Sequence, residues 1–143
     1  MSSINDLTVK ELGLIDSPES AIRFVCRYHE DKSTGIVTVI RCDSSMRAIG
    51  VTHLNTDLDI AWRLGVVYDA KKEPGCYGVV VVIHKDSKNP RPYSNDIDVM
   101  ESLGKELKSE GFNLTDVIVI GNNGRYFSFS TERMKKIMKS WLG

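Results

Sequence analysis

The chain has no net charge to speak of: nineteen Lys and Arg side chains balance nineteen Asp and Glu. No global field therefore draws it to nucleic acid or to an anionic membrane. It has only three cysteines, Cys26, Cys42 and Cys76, widely spaced and with no C-x-x-C pair. That pattern excludes a disulfide framework and a zinc ribbon, and fits reduced thiols in a cytoplasmic protein. No apolar run approaches the ~20 residues needed to span a membrane. The opening MSSINDLTVKELG lacks both the basic start and the apolar centre of a secretion signal. Internal repeats and low-complexity tracts are missing too.

What remains is 143 residues, 41% hydrophobic, enough for one core. Residues 1–14 read as a flexible polar segment, although Leu7, Val9, Leu12 and Leu14 could dock on a body formed by 15–143. Ser17 before Pro18 starts a first helix, with Ala21, Ile22, Val25 and Cys26 recurring on one face. Residues 36–42 and 48–53 read as a hairpin around Asp43, Ser44 and Ser45. Over 57–69, Leu58, Ala61, Trp62, Leu64, Gly65 and Val66 fall at helical spacing behind acidic Asp57 and Asp59.

The densest information lies in 78–96, GVVVVIHKDSKNPRPYSND. Residues 79–83 are a β-branched run too short for a typical helix, so they predict a central strand covered on both faces. Pro90 and Pro92 stiffen the following loop and forbid helix until about Tyr93; Ser94, Asn95 and Asp96 then offer capping oxygens for a helix from about 97 to 110. Ile97, Met100, Leu103 and Leu107 form its stripe, and Gly111 stops it. Residues 117–120 and 126–129 pair across Gly121, Asn122, Asn123 and Gly124, residues that tolerate positive φ. A last helix over 131–142, capped by Thr131, carries Met134, Ile137, Met138 and Trp141 on one side, and either packs on the sheet or supplies a homo-oligomer interface.

These phrases resemble the RadC-like branch of the JAB/MPN (JAMM) metalloprotease superfamily. Its loop reads HNHPSGDPTPSxxD at the end of a central strand. Residues 14–31, LIDSPESAIRFVCRYHED, look like the family's opening Ser-Pro helix, and 34–54, TGIVTVIRCDSSMRAIGVTHL, like its first hairpin. Residues 114–130, LTDVIVIGNNGRYFSFS, resemble a closing phrase similar to LLDHIIVGDGRYYSF, with Asp116, Gly121, Gly124, Arg125, Tyr126, Ser128 and Phe129 at matching spacing. The resemblance implies an α/β domain of the layered, cytidine-deaminase-like kind, with a mixed, mostly antiparallel sheet flanked by helices.

The metal site carries over badly. In the ungapped alignment that keeps Pro90, Pro92 and Asp96, the family's two histidines fall on Ile83 and Lys85 and its serine on Tyr93. Hydrolytic zinc needs about three protein ligands and an open position, so this frame implies no metal and a non-catalytic pseudoenzyme. Lys85 would then place its charge where the ion sat. A one-residue deletion gives a second frame, with His84, Asp86 and Asp96 as ligands for zinc or another divalent ion. Asp59 would serve as general base there, and Ser94 beside Tyr93 would assist the oxyanion. Each residue also has a plainer role: a polar strand end for His84, a helix-dipole partner for Asp96, a turn cap or amide acceptor for Asp116, a cross-strand position for Arg125 and Tyr126.

Three functions from different classes follow. The first is a metal-free scaffold that binds a protein partner, its groove marked by Lys85, Lys88, Arg91, Asp116 and Arg125. The second is a JAMM-type peptidase or isopeptidase. The third is a nucleic-acid-associated protein, in keeping with the DNA-repair or mobile-element setting attached to RadC relatives. The basic residues Lys85, Lys88 and Arg91, and Arg133, Lys135, Lys136 and Lys139 at the C-terminus, are the local patches that would serve it.

Overall fold

The structure, a computed structural model, describes residues 13–28, 37–54, 60–85, 87–92 and 94–132, with the side chains of 26–28, 60–62 and 94–96 outside the description. Helix α1 (Pro18–Tyr28) is followed by strands β1 (Val37–Cys42) and β2 (Ala48–Leu54), helix α2 (Ile60–Lys72), strand β3 (Gly78–His84), helix α3 (Ser94–Ser109), and strands β4 (Asn113–Ile120) and β5 (Tyr126–Ser128). The five strands form one sheet in the order β2-β1-β3-β4-β5. Only β3 and β4 run parallel; the other three pairs are antiparallel. The β-branched run is thus the central strand, as its unbroken apolarity requires.

Side-chain alternation splits this strand between two cores. Val80 and Val82 join Ile40, Cys42, Ile118 and Ile120 beneath α1, which contributes Ala21, Phe24 and Val25. Val79 and Val81 join Val37, Val39 and Val117 beneath α2 and α3, which contribute Val66, Ala70, Met100, Leu103 and Leu107. Ile83 packs at the margin of this second core. Among the described residues, the sheet is therefore a middle layer with α1 on one face and α2 and α3 on the other.

Local chemistry sets the element ends. Ser17 Oγ accepts from the Ser20 amide at 3.1 Å while Ser20 Oγ accepts from the Ser17 amide at 3.0 Å. This reciprocal cap, with Pro18 at the first helical position, fixes the start of α1. At the end of α3, Gly111 takes φ 88° and the Phe112 amide donates to the Leu107 carbonyl at 2.8 Å, which closes the helix. Two expected boundaries move. α3 begins at Ser94 rather than near Ile97, immediately after the proline loop. The C-terminal helix begins at 129, two residues before Thr131, because a residue from another strand caps it; beyond 132 it lies outside the described residues.

The N-terminal side is also tied in from residue 13: the Ala48 amide donates to the Gly13 carbonyl at 2.6 Å, and the Ile15 amide to Met46 at 2.7 Å. Residues 1–12, expected to be loose, lie outside the described residues.

Candidate functional site

Because β3 and β4 are parallel, their carboxyl ends emerge together, and the loop after β3 and the turn after β4 meet there. Such ends are where open α/β sheets place their sites. The Lys85 amide extends the ladder to the Ile120 carbonyl at 2.8 Å, and the Asn122 amide donates to the Ser87 carbonyl at 2.8 Å. Gly121 is the point of closest approach. A Cβ there would lie 2.7 Å from the Ser87 carbonyl oxygen and 3.1 Å from that of Lys88. Only glycine lets the 87–88 backbone rest on the turn.

The loop is stiffened from inside as well as by its prolines. Ser87 Oγ accepts from the Asn89 amide at 3.2 Å, and Asn89 Oδ1 from the Arg91 amide at 3.1 Å. The Lys85 ammonium donates to the Arg91 carbonyl, clasping the two ends of the loop. Lys88, Arg91 and Arg125 stay exposed around it. The structure thus brings Lys85, Lys88, Arg91 and Arg125 to one end of the sheet.

Asp116 is elsewhere. It pairs with Val80, four residues before the end of β4, just after the irregularity that shifts the β3–β4 register. Its carboxylate is buried and accepts from Ser128 Oγ at 2.7 Å, the Ser130 amide at 3.0 Å and the adjacent Val117 amide at 2.8 Å. Ser128 Oγ in turn accepts from the Thr131 amide at 3.2 Å. Together the two side chains satisfy amides at the start of the C-terminal helix, which explains its early beginning. Asp116 is thus the amide acceptor that was one of the two roles read for it from sequence, and what it caps is the start of a helix rather than a turn.

A groove of about 580 Å³ lies between α3 and the amino-terminal half of β4, bordered by Gly104, Lys105, Leu114, Asp116 and Phe129. Asp116 is the sequence-derived site residue, among those described, that borders it, and Glu101, Lys105 and Lys108 border it too. The loop end of the sheet gathers four of the sequence-derived residues, Lys85, Lys88, Arg91 and Arg125, and is the better site candidate. Tyr126, at the start of β5, donates its hydroxyl to Glu19 of α1 at 2.6 Å. That bond holds the Glu19 carboxyl below its ordinary range and pushes the Tyr126 hydroxyl up. Sequence reading had no signal for this partner.

The two metal frames separate by face. Ile83 lies with Val79 and Val81 on the side covered by α3, the helix that carries Asp96. His84 falls by alternation on the opposite side, with Val80 and Val82. Asp59, Asp86 and Tyr93 lie outside the described residues, as do the side chains of Ser94 and Asp96. Among the described residues, no three His, Cys, Asp or Glu side chains gather as an ion site.

A three-layered α/β domain with a mixed, mostly antiparallel sheet and a stiff loop-to-helix passage after its central strand is the architecture of the JAB/MPN class. A family model described as a RadC-like JAB domain matches residues 15–135, and the chain belongs to that family. No curated protein matches it. Among the described residues, no helix is long and apolar enough to cross a membrane.

Proposed function

We propose that this chain is a metal-free, non-catalytic RadC-like JAB domain that works by binding a protein partner at the carboxyl end of its parallel strands. The observation that carries this reading is the division of the β3 end between two faces. On the α3 face, where the family's histidines would stand, Ile83 has no lone pair to offer and Lys85 presents an ammonium that is already bonded to the Arg91 carbonyl. Neither suits a zinc ion, which takes thiolate, neutral imidazole or carboxylate donors. His84 falls on the face of β3 opposite to α3, the helix that carries Asp96.

A cation that closes the loop replaces the ion's local charge and leaves a rigid surface edged by Lys88, Arg91 and Arg125. A preorganised surface of this kind loses little entropy on binding, which suits a scaffold. The partner implied is a protein with an acidic face.

Elemental analysis after incubation with zinc and manganese and removal of free ion tests the reading. Wild type, His84→Ala and Asp96→Ala should all retain no stoichiometric metal. Metal held at one per chain by wild type and lost in both variants would establish the JAMM-type hydrolase instead and direct work to peptide and isopeptide substrates.

A further inference from the structure

The turn after β4 holds the sole Asn-Gly pair of the sequence, Asn123-Gly124. Residues 122–126 are exposed to solvent, and a Cβ added to Gly124 would meet nothing within 4 Å, so no side chain screens the peptide that joins the pair. Asn123 Oδ1 accepts from the Arg125 amide at 3.1 Å. A bond to the amide two residues on is an Asx turn, which folds the side chain over the intervening peptide and brings Cγ toward the Gly124 nitrogen. The same bond polarises the side-chain carbonyl, as an oxyanion donor does. The Gly124 amide itself donates to the Gly121 carbonyl at 3.1 Å, a single turn bond that has to open first. Strand β5 on the far side of the turn has only three residues, and short exposed elements open locally at low cost.

We propose that Asn123 is a self-modification site whose conversion to isoaspartate unlatches the loop after β3. The Gly124 nitrogen bonds to Asn123 Cγ, its proton passes through solvent to Nδ2, and the Cγ–Nδ2 bond breaks as ammonia leaves, giving a cyclic imide. Water then breaks one of the two imide C–N bonds. Breaking the bond at Cγ leaves aspartate. Breaking it at the main-chain carbonyl leaves isoaspartate, with the backbone running through the former side chain. Water is the reagent consumed and nothing is oxidised or reduced.

The two products act differently on the fold. Aspartate keeps an oxygen where the Arg125 amide needs one. Isoaspartate adds a methylene to the main chain inside a turn closed by the Gly121 amide on the Arg125 carbonyl at 2.7 Å and by Gly124 on Gly121, and that closure cannot survive the insertion. The same turn holds the neighbouring loop. The Asn122 amide donates to the Ser87 carbonyl at 2.8 Å, and Gly121 lies against the carbonyls of Ser87 and Lys88. Displacing the turn therefore frees residues 87–92. The reaction takes place in the chain itself, whether or not a partner binds at this end of the sheet.

Incubation of the full chain at physiological temperature and mildly alkaline pH, followed by peptide mapping and an enzymatic isoaspartate assay, provides the test. Asn123 should convert several-fold faster than any other asparagine, Asn122 included. Tryptic cleavage of the native protein after Lys88 should rise in step with the isoaspartate fraction. Asn123→Ser, which keeps a side-chain oxygen but cannot form the imide, should hold the loop resistant throughout. Freshly prepared Asn123→Asp should be as resistant as fresh wild type, which separates the backbone change from the added charge. Far-UV circular dichroism checks that each variant is folded. An Asn123 that stays intact in the folded chain, another asparagine converting first, or isoaspartate at 123 with Lys88 as protected as before would overturn the proposal.

Discussion

Removing the Asp116 carboxylate should destabilise the domain more than any other single polar change among the described residues. The carboxylate is 8% exposed and makes two bonds to groups distant in sequence, Ser128 Oγ at 2.7 Å and the Ser130 amide at 3.0 Å, besides one to its neighbour's amide. A hydrogen bond to a charged group contributes about 1.5–3 kcal/mol, and an unpartnered buried donor costs about as much. The Ser128 hydroxyl can turn to another acceptor, while the Ser130 amide cannot. We therefore expect Asp116→Ala to lose about 3 kcal/mol, equivalent to roughly 10 °C in Tm for a chain of this size. Asp116→Asn keeps one acceptor and should lose about 1 kcal/mol. Urea denaturation of wild type, both variants, Ser128→Ala and the Asp116→Ala/Ser128→Ala pair measures this directly. The pair should cost less than the sum of its members, because they share one bond. An Asp116→Ala variant within about 0.5 kcal/mol of wild type would refute the capping argument.

Tyr126 and Glu19 make a pH-dependent link between β5 and α1. The depressed Glu19 carboxyl contributes stability above its ordinary value of 4.5, lost as pH falls through the lower folded value. The raised Tyr126 hydroxyl contributes below its ordinary value of 10.0, lost as pH rises through the higher folded value. The stability difference between wild type and Tyr126→Phe should thus be present near neutrality and shrink at both extremes; a difference independent of pH would contradict the bond. Burial, then the neighbouring Cys76 and Asp43, push the Cys42 thiol up to about 12. Iodoacetamide at mildly alkaline pH should leave Cys42 unmodified until denaturant is added, as mass spectrometry of digests would read, and prompt labelling of folded protein would count against its burial. Gly121→Ala drives a Cβ to 2.7 Å from the Ser87 carbonyl and should destabilise by about 1–3 kcal/mol while exposing the 87–92 loop to proteolysis. Ile83→His/Lys85→His, which restores histidines at the two positions of the ungapped alignment, should bind more zinc than wild type; no gain in zinc would undermine that alignment.

Much of the fold was legible locally. The run 79–83 announced a central strand because no polar residue interrupts it, and β3 has two neighbours and helices on both faces. Ser17-Pro18 announced the start of α1, and the Gly121 to Gly124 stretch announced the last turn, because capping and turn chemistry act within a few residues. The C-terminal helix was placed two residues late for the converse reason: its cap comes from Asp116 on β4, 14 residues from Ser130. The expected grouping of Asp116 with the loop cations likewise had no local signal to correct it. Asp116 lies mid-strand, while Lys88, Arg91 and Arg125 surround the strand ends.

The sequence by itself determined the class of domain, the central strand and the stiff loop, all features written in neighbouring residues. Tertiary structure alone decided which face each residue of β3 serves, because alternation gives two sides but only the packing of α1 on one face and α3 on the other tells them apart. It also decided the Tyr126 bond to Glu19 across 107 residues and the exposure of Leu64 and Tyr68. Those depend on where distant segments come to rest, and helical or strand periodicity carries no information about that.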